Sequence, residues 1–204
     1  MELQPKLIPV HVPDRPAGAV LVLHGGAARR EHTMVSPTQL SVLRMIPIAR
    51  RIARAGDGRL AVFRLLNARR GWDTTHTPVR DAQWALGEIA ERLGRLSTCL
   101  VGHSLGGRAA LLTAGEADVR GVVALAPWVY PTDVAPGIGG RRILIVHGDR
   151  DRVASPQRAA ALAKTLSRQA DVRLITVPGG KHAMLSRARE FVRPAAAFVT
   201  ETLL

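Results

Sequence analysis

Ser97-Thr98-Cys99-Leu100-Val101-Gly102-His103-Ser104-Leu105-Gly106-Gly107, continuing as Arg108-Ala109-Ala110-Leu111-Leu112, decides the fold of this chain. It reads as a short apolar strand, a tight Gly-His-Ser-Leu-Gly turn, and the first turns of a helix of small and aliphatic residues. Ser104 stands between Gly102 and Gly106 at the G-x-S-x-G spacing, where a serine in a strained backbone conformation lifts its hydroxyl off the end of a strand. A side chain in place of either glycine would collide with the turn.

The flanks extend this pattern in both directions. Residues 19–23 form a continuous apolar run suited to a strand buried on both faces of a parallel sheet, and it ends in His24-Gly25-Gly26-Ala27. Further strands are expected at 60–66, 119–126, 143–146 and 172–177, with an edge strand at 7–12 where Pro9 would cost a ladder donor. A helix is expected over 39–55, with Leu40, Leu43, Ile46 and Ala53 as its buried stripe and Pro47 starting or kinking part of it. A second runs over 77–93, with Thr77 as N-cap, Pro78 at the first helical position, and Val79, Ala82, Leu86, Ile89 and Leu93 at helical spacing. Helices at 105–114, at 156–168 after Ser155, and at 186–204 with a bend at Pro194 complete the reading. Strands alternating with helices imply an α/β chain with a mainly parallel sheet, in which functional residues gather at the carboxyl ends of strands.

Gly102-His103-Ser104-Leu105-Gly106-Gly107 resembles the α/β-hydrolase superfamily, specifically its small serine esterase-like members. The resemblance implies the α/β-hydrolase fold: a mainly parallel sheet flanked by helices on both faces, without a cap domain. His147-Gly148-Asp149-Arg150-Asp151-Arg152-Val153 matches the family's H-G-x-x-D-x-x-V pattern, which makes Asp151 the acid that orients the base, with Asp149 as the competing carboxylate. The family keeps its base in a glycine-containing loop after the last strand, which points to His182 in Pro178-Gly179-Gly180-Lys181-His182; glycine is more usual at the place of Lys181. The order Ser104, Asp151, His182 is the hydrolase-fold order. An H-G-x stretch after an early strand supplies an oxyanion-hole N–H in this family, here Gly26 or, with the loop shifted by one, Ala27. The second donor is the N–H of Leu105. Between the strands at 119–126 and 143–146 there is no room for a helical lid.

These residues imply acyl transfer. Serine is a poor nucleophile until a base takes its proton, so His182 would accept it and Asp151 would hold the imidazole tautomer. The expected activity is carboxylic-ester (or thioester) hydrolysis on a small-molecule substrate through an acyl-enzyme. Acyltransferases, perhydrolases and peptidases use the same groups, and a hydrolase-fold protein kept for binding or signalling is the non-catalytic alternative. Trp72, in an Arg-Gly-aromatic-Asp run like the loop after the same strand in many α/β-hydrolases, either lines a substrate pocket or packs its own loop. Trp128, Tyr130 and Met34 either shape the pocket or pack, and Arg29 or Arg30 either favours an anionic substrate or is solvated surface.

Composition narrows the alternatives. At 204 residues and 47% hydrophobic content the chain can bury one sizeable core, so residues 1–204 are read as a single domain. The net charge of +13 comes mainly from arginines in scattered pairs, and aromatics at 3% leave little for base stacking. Non-specific, salt-sensitive adhesion to polyanions is expected, but no specific nucleic-acid function. His11, His32 and His76 are scattered singly, and His24, His103 and His147 each adjoin a glycine at a strand end as scaffold residues; no metal is expected. No glycine-rich phosphate loop follows a strand, so no cofactor is implied. The N-terminus lacks a basic segment followed by an apolar one and no apolar run is of membrane-spanning length, from which a cytoplasmic protein is expected. Cys99 is read as a small buried core residue.

Overall fold

The computed structural model describes residues 4–26 and 35–204. The alternatives placed on Ala27, Arg29, Arg30, His32 and Met34 lie outside these residues. Seven strands form one sheet in the order β1-β3-β2-β4-β5-β6-β7. They are β1 (Lys6–His11), β2 (Gly18–Leu23), β3 (Leu60–Leu66), β4 (Thr98–His103), β5 (Val119–Leu125), β6 (Arg142–Gly148) and β7 (Asp171–Val177). β1 runs antiparallel to β3 and every other pairing is parallel. Pro9 is tolerated because β1 is an edge strand, and the register shifts between Pro9 and His11.

Helices cover both faces of the sheet. α1 (Leu40–Ala55) and α5 (Ala188–Leu203) lie on one; α2 (Thr77–Leu93), α3 (Leu105–Leu112) and α4 (Pro156–Leu166) lie on the other. β2 shows why the central strands are continuous apolar runs. Val20 and Val22 pack with Met45, Ile52 and Phe198, while Leu21 and Leu23 pack on the opposite face with Ala82, Ala109 and Leu162. Phe191 of α5 is completely buried, and truncating such a side chain to alanine costs ~3–5 kcal/mol.

Two local expectations are corrected. The buried stripe of α1 is Val42, Met45, Ile48, Ala49 and Ile52, whereas Leu40 is 76% and Leu43 40% exposed and Ile46 and Ala53 are half-buried. The helix carries apolar residues on more than one side, so its 3.6-residue period fits two faces and contact with β2 and β3 selects the other. Pro47 lies inside this helix on its exposed side. The N-cap of α2 is His76, at a left-handed φ of 53°, and Thr77 is already helical. Asp73 anchors that first turn instead: its carboxylate accepts the Thr77 N–H at 2.8 Å and also the Thr77 hydroxyl. The segment between β5 and β6 contains neither helix nor strand, so it forms no helical lid.

Candidate active site

Ser104, Asp151 and His182 follow β4, β6 and β7 at their carboxyl ends, and Gly26 follows β2. Ser104 has φ 56° and ψ −120°, a conformation that strains any residue with a side chain. The glycines around it are dictated by space. A Cβ on Gly102 would lie 2.1 Å from the Gly106 carbonyl oxygen, and one on Gly106 would lie 2.5 Å from the carbonyl oxygens of Leu23 and His24. The turn holds its shape through the Ser104 carbonyl, which accepts the N–H groups of Arg108 (3.1 Å) and Trp128 (3.2 Å).

His182 joins the other two side chains. Its Nδ1–H donates to Asp151 Oδ2 at 2.8 Å, which leaves Nε2 to accept the Ser104 hydroxyl at 3.0 Å. The Asp151 carboxylate is fully buried and saturated: Oδ1 accepts the N–H groups of Val153 (2.8 Å) and Ala154 (2.9 Å), and Oδ2 also lies 3.2 Å from His147 Nε2. Burial alone would raise its pKa, but hydrogen bonds from His147, His182, Ala154 and Val153 outweigh it and hold the carboxyl well below the usual range. The competing carboxylate, Asp149, points elsewhere and accepts the Gly179 N–H at 2.7 Å. The loops bearing Asp151 and His182 touch backbone to backbone, since a Cβ on Gly148 would fall 2.2 Å from the Gly180 carbonyl oxygen.

Two of the scaffold histidines fix backbone at the site. His103 is buried, and its Nε2–H donates to the carbonyl of His182 at 2.9 Å. Burial, followed by the charge of His182, pushes its pKa down to about 3, so the ring is neutral near pH 7. His24 donates from Nδ1 to the Gly25 carbonyl at 2.7 Å and accepts the Asn67 N–H on Nε2 at 3.2 Å, tying the loop after β2 to the end of β3. In the sequence each is marked only by a neighbouring glycine at a strand end.

Gly26, Ser104 and His182 line one cleft of about 590 Å³. The N–H of Leu105 stands at the first position of α3, where it has no intrahelical acceptor. Leu40 and Arg44 of α1 and Arg70 of the loop after β3 also line this cleft, and sequence spacing alone does not single out Arg44 or Arg70. Trp72 and Trp128 are not among the residues that line this cleft. Trp72 carries the Arg108 guanidinium 4.3 Å from its ring centre. Trp128 stacks edge-on with Tyr130 at 5.2 Å and lines a neighbouring depression of about 350 Å³ beside Asp151. Arg108 is itself held by two 2.9 Å hydrogen bonds to Asp133, so these aromatics enclose an ion pair. Among the described residues no group of three or more His, Cys, Asp or Glu side chains could hold a metal ion, and no helix is long and apolar enough to cross a membrane.

Residues 85–189, just over half of the 204, match the model of the alpha/beta hydrolase family. The fold is similar to that of an alpha-beta serine hydrolase homologue from Coxiella burnetii, with 16% identity over 98% of this chain and 92% of that one and a TM-score of 0.70. It is also similar to dienelactone hydrolase from Anabaena variabilis (19% identity, 99% and 97% coverage, TM-score 0.69) and to an esterase from Pyrobaculum calidifontis (16%, 97% and 85%, 0.69). No curated protein matches the chain by sequence. The match through the β4–α3 turn and the loops of Asp151 and His182, on a seven-stranded sheet of this order, places the chain in the alpha/beta hydrolase family.

Proposed function

We propose that the protein is a serine hydrolase of small-molecule carboxylic esters that works through an acyl-enzyme on Ser104. The observation that carries this reading is the unbroken hydrogen-bonded line from the Ser104 hydroxyl through His182 to Asp151. In the first half-reaction Ser104 Oγ attacks the ester carbonyl carbon while His182 Nε2 takes its proton. The resulting oxyanion is met by the N–H groups of Leu105 and Gly26, each such donor typically contributing ~10²–10³ in rate. Collapse of the tetrahedral intermediate breaks the bond to the alcohol, which leaves with the proton from His182. Water then gives a proton to His182 and attacks the acyl carbon; the acid leaves and the proton returns to Ser104. Asp151 stays ionised throughout, keeping Nδ1 protonated and stabilising the imidazolium.

The test is labelling with an organophosphonate together with turnover of p-nitrophenyl esters of increasing chain length. The expected result is a single covalent adduct on Ser104, absent from Ser104→Ala, and ester hydrolysis lost in the same variant. Intact protein that takes no adduct on Ser104 and turns over no ester overturns the reading.

A further inference from the structure

We propose that the cleft at Ser104 selects esters that carry a carboxylate, gripped between Arg44 and Arg70. This deepens the esterase reading and rests on it. The two arginines arrive from separate elements, Arg44 from α1 and Arg70 from the loop after β3, and both line the cleft that holds Ser104 and His182. The Nε of each is shielded from solvent and has no hydrogen-bond partner among the described residues. Arg108, by contrast, directs its Nε and Nη2 donors to the Asp133 carboxylate. Among the described residues no side chain lining the cleft is acidic, so none of them supplies a carboxylate to either guanidinium.

A shielded guanidinium N–H without an acceptor is costly, and a ligand oxygen recovers that cost. Arginine does not escape by losing its proton, and its planar fork matches the two oxygens of a carboxylate. Burial already holds the Arg44 guanidinium below its ordinary pKa, and its charge reaches the His103 ring, which in turn touches His182. An anion bound by Arg44 therefore sits beside the reacting groups. The +13 net charge of the chain draws such substrates toward the cleft.

The experiment compares kcat/KM for monoethyl adipate and for ethyl 6-methylheptanoate, in which an isopropyl group replaces the carboxylate. A second arm follows adipate binding to Ser104→Ala protein by calorimetry. The acid ester is expected to be preferred by about 10- to 100-fold, the range of a charge-assisted pair of hydrogen bonds. R44Q and R70Q are each expected to lower that preference about tenfold and to abolish adipate binding when combined with S104A. Turnover of the neutral ester without preference for the acid, together with no adipate binding, overturns the carboxylate site and leaves the esterase intact. Absence of turnover of either ester and of a phosphonate adduct overturns the esterase reading, and adipate binding then decides the arginine site by itself.

Discussion

His147 Nε2 lies 3.2 Å from Asp151 Oδ2, the same oxygen that receives the Nδ1–H of His182. Two imidazoles therefore share one buried carboxylate. His147 Nε2 also lies 3.2 Å from the Ala154 carbonyl, so its N–H is divided between two acceptors and the ring is pinned in place. His147→Leu removes one of the hydrogen bonds that keep the Asp151 pKa low. The expected result is a fall in kcat/KM of about tenfold, with its acid limb displaced to higher pH. A profile unchanged in shape against native enzyme would show that His147 only fills space.

Asp151→Asn tests the orienting role directly. An amide in place of the carboxylate no longer accepts from Nδ1 as an anion and favours the wrong imidazole tautomer. By analogy with triads of this kind, kcat is expected to drop by about 10⁴-fold. The phosphonate labelling rate of Ser104 should fall with it. Asp149→Asn, which loosens only the Gly179 contact, should cost far less in the same assay.

Glycine substitutions separate close backbone approach from mere flexibility. Gly106→Ala drives a methyl into two carbonyl oxygens at 2.5 Å, and Gly102→Ala meets one at 2.1 Å. Either is expected to lower stability by more than about 3 kcal/mol, with a fall in Tm of roughly 6–12 °C. Gly87, exposed in α2 with open space for 4 Å around the point where a methyl would sit, should behave oppositely. Gly87→Ala is expected to raise stability by about 0.5–1 kcal/mol, measurable by urea unfolding.

Acid should destabilise the fold through its buried histidines. The pKa of His103 is pushed down to about 3, and that of His24 is also lowered by burial. Below about pH 6.5 the unfolded chain binds protons that these folded rings resist, so stability falls as pH drops, for His103 by up to about 1.4 kcal/mol per pH unit down toward 3, with His24 adding in the same direction. Asp81 opposes this. Burial raises its pKa to about 6, so between about pH 4 and 6 the folded state holds the extra proton. Asp81→Asn should therefore steepen the acid loss of stability over that interval while stabilising the protein at pH 7. Unfolding midpoints from pH 4 to 7.5 check both signs.

Removing Asp133 should leave the Arg108 guanidinium enclosed by Trp72, Trp128 and Tyr130 without a counter-charge. Asp133→Ala is expected to cost about 3–5 kcal/mol, and Arg108→Met with Asp133→Leu much less, because the pair is then replaced by packing. Thermal unfolding of the two variants distinguishes them.

Much of this architecture is legible in the chain because the central strands are buried on both faces and stand out as uninterrupted apolar runs. The β4 turn is equally plain, since close approach leaves room only for glycine at positions 102 and 106, two residues to either side of Ser104. What local spacing does not reveal is decided by distant contacts. α1 carries apolar side chains around most of its girth, and only the sheet chooses Met45 and Ile52 over Leu40 and Leu43. Thr77 has the form of a cap, yet Asp73 from the preceding loop takes that task. Trp72 and Trp128 are pocket candidates by position, and spacing does not reveal that Arg108 packs over both rings while Trp128 also lines the depression beside Asp151. Arg44 and Arg70 are 26 residues apart in sequence and come to line one cleft only in the folded chain.

The contact of Gly148 with Gly180 leaves no slack between the segment that carries the acid and the segment that carries the base. The two behave as one cassette. Exchanging either alone for the corresponding piece of a relative would bring mismatched backbones together and carry Asp151 or His182 out of reach of its partner, whereas the pair moved together keeps its own spacing. Loop grafting on this scaffold therefore has a natural unit, and it is the couple.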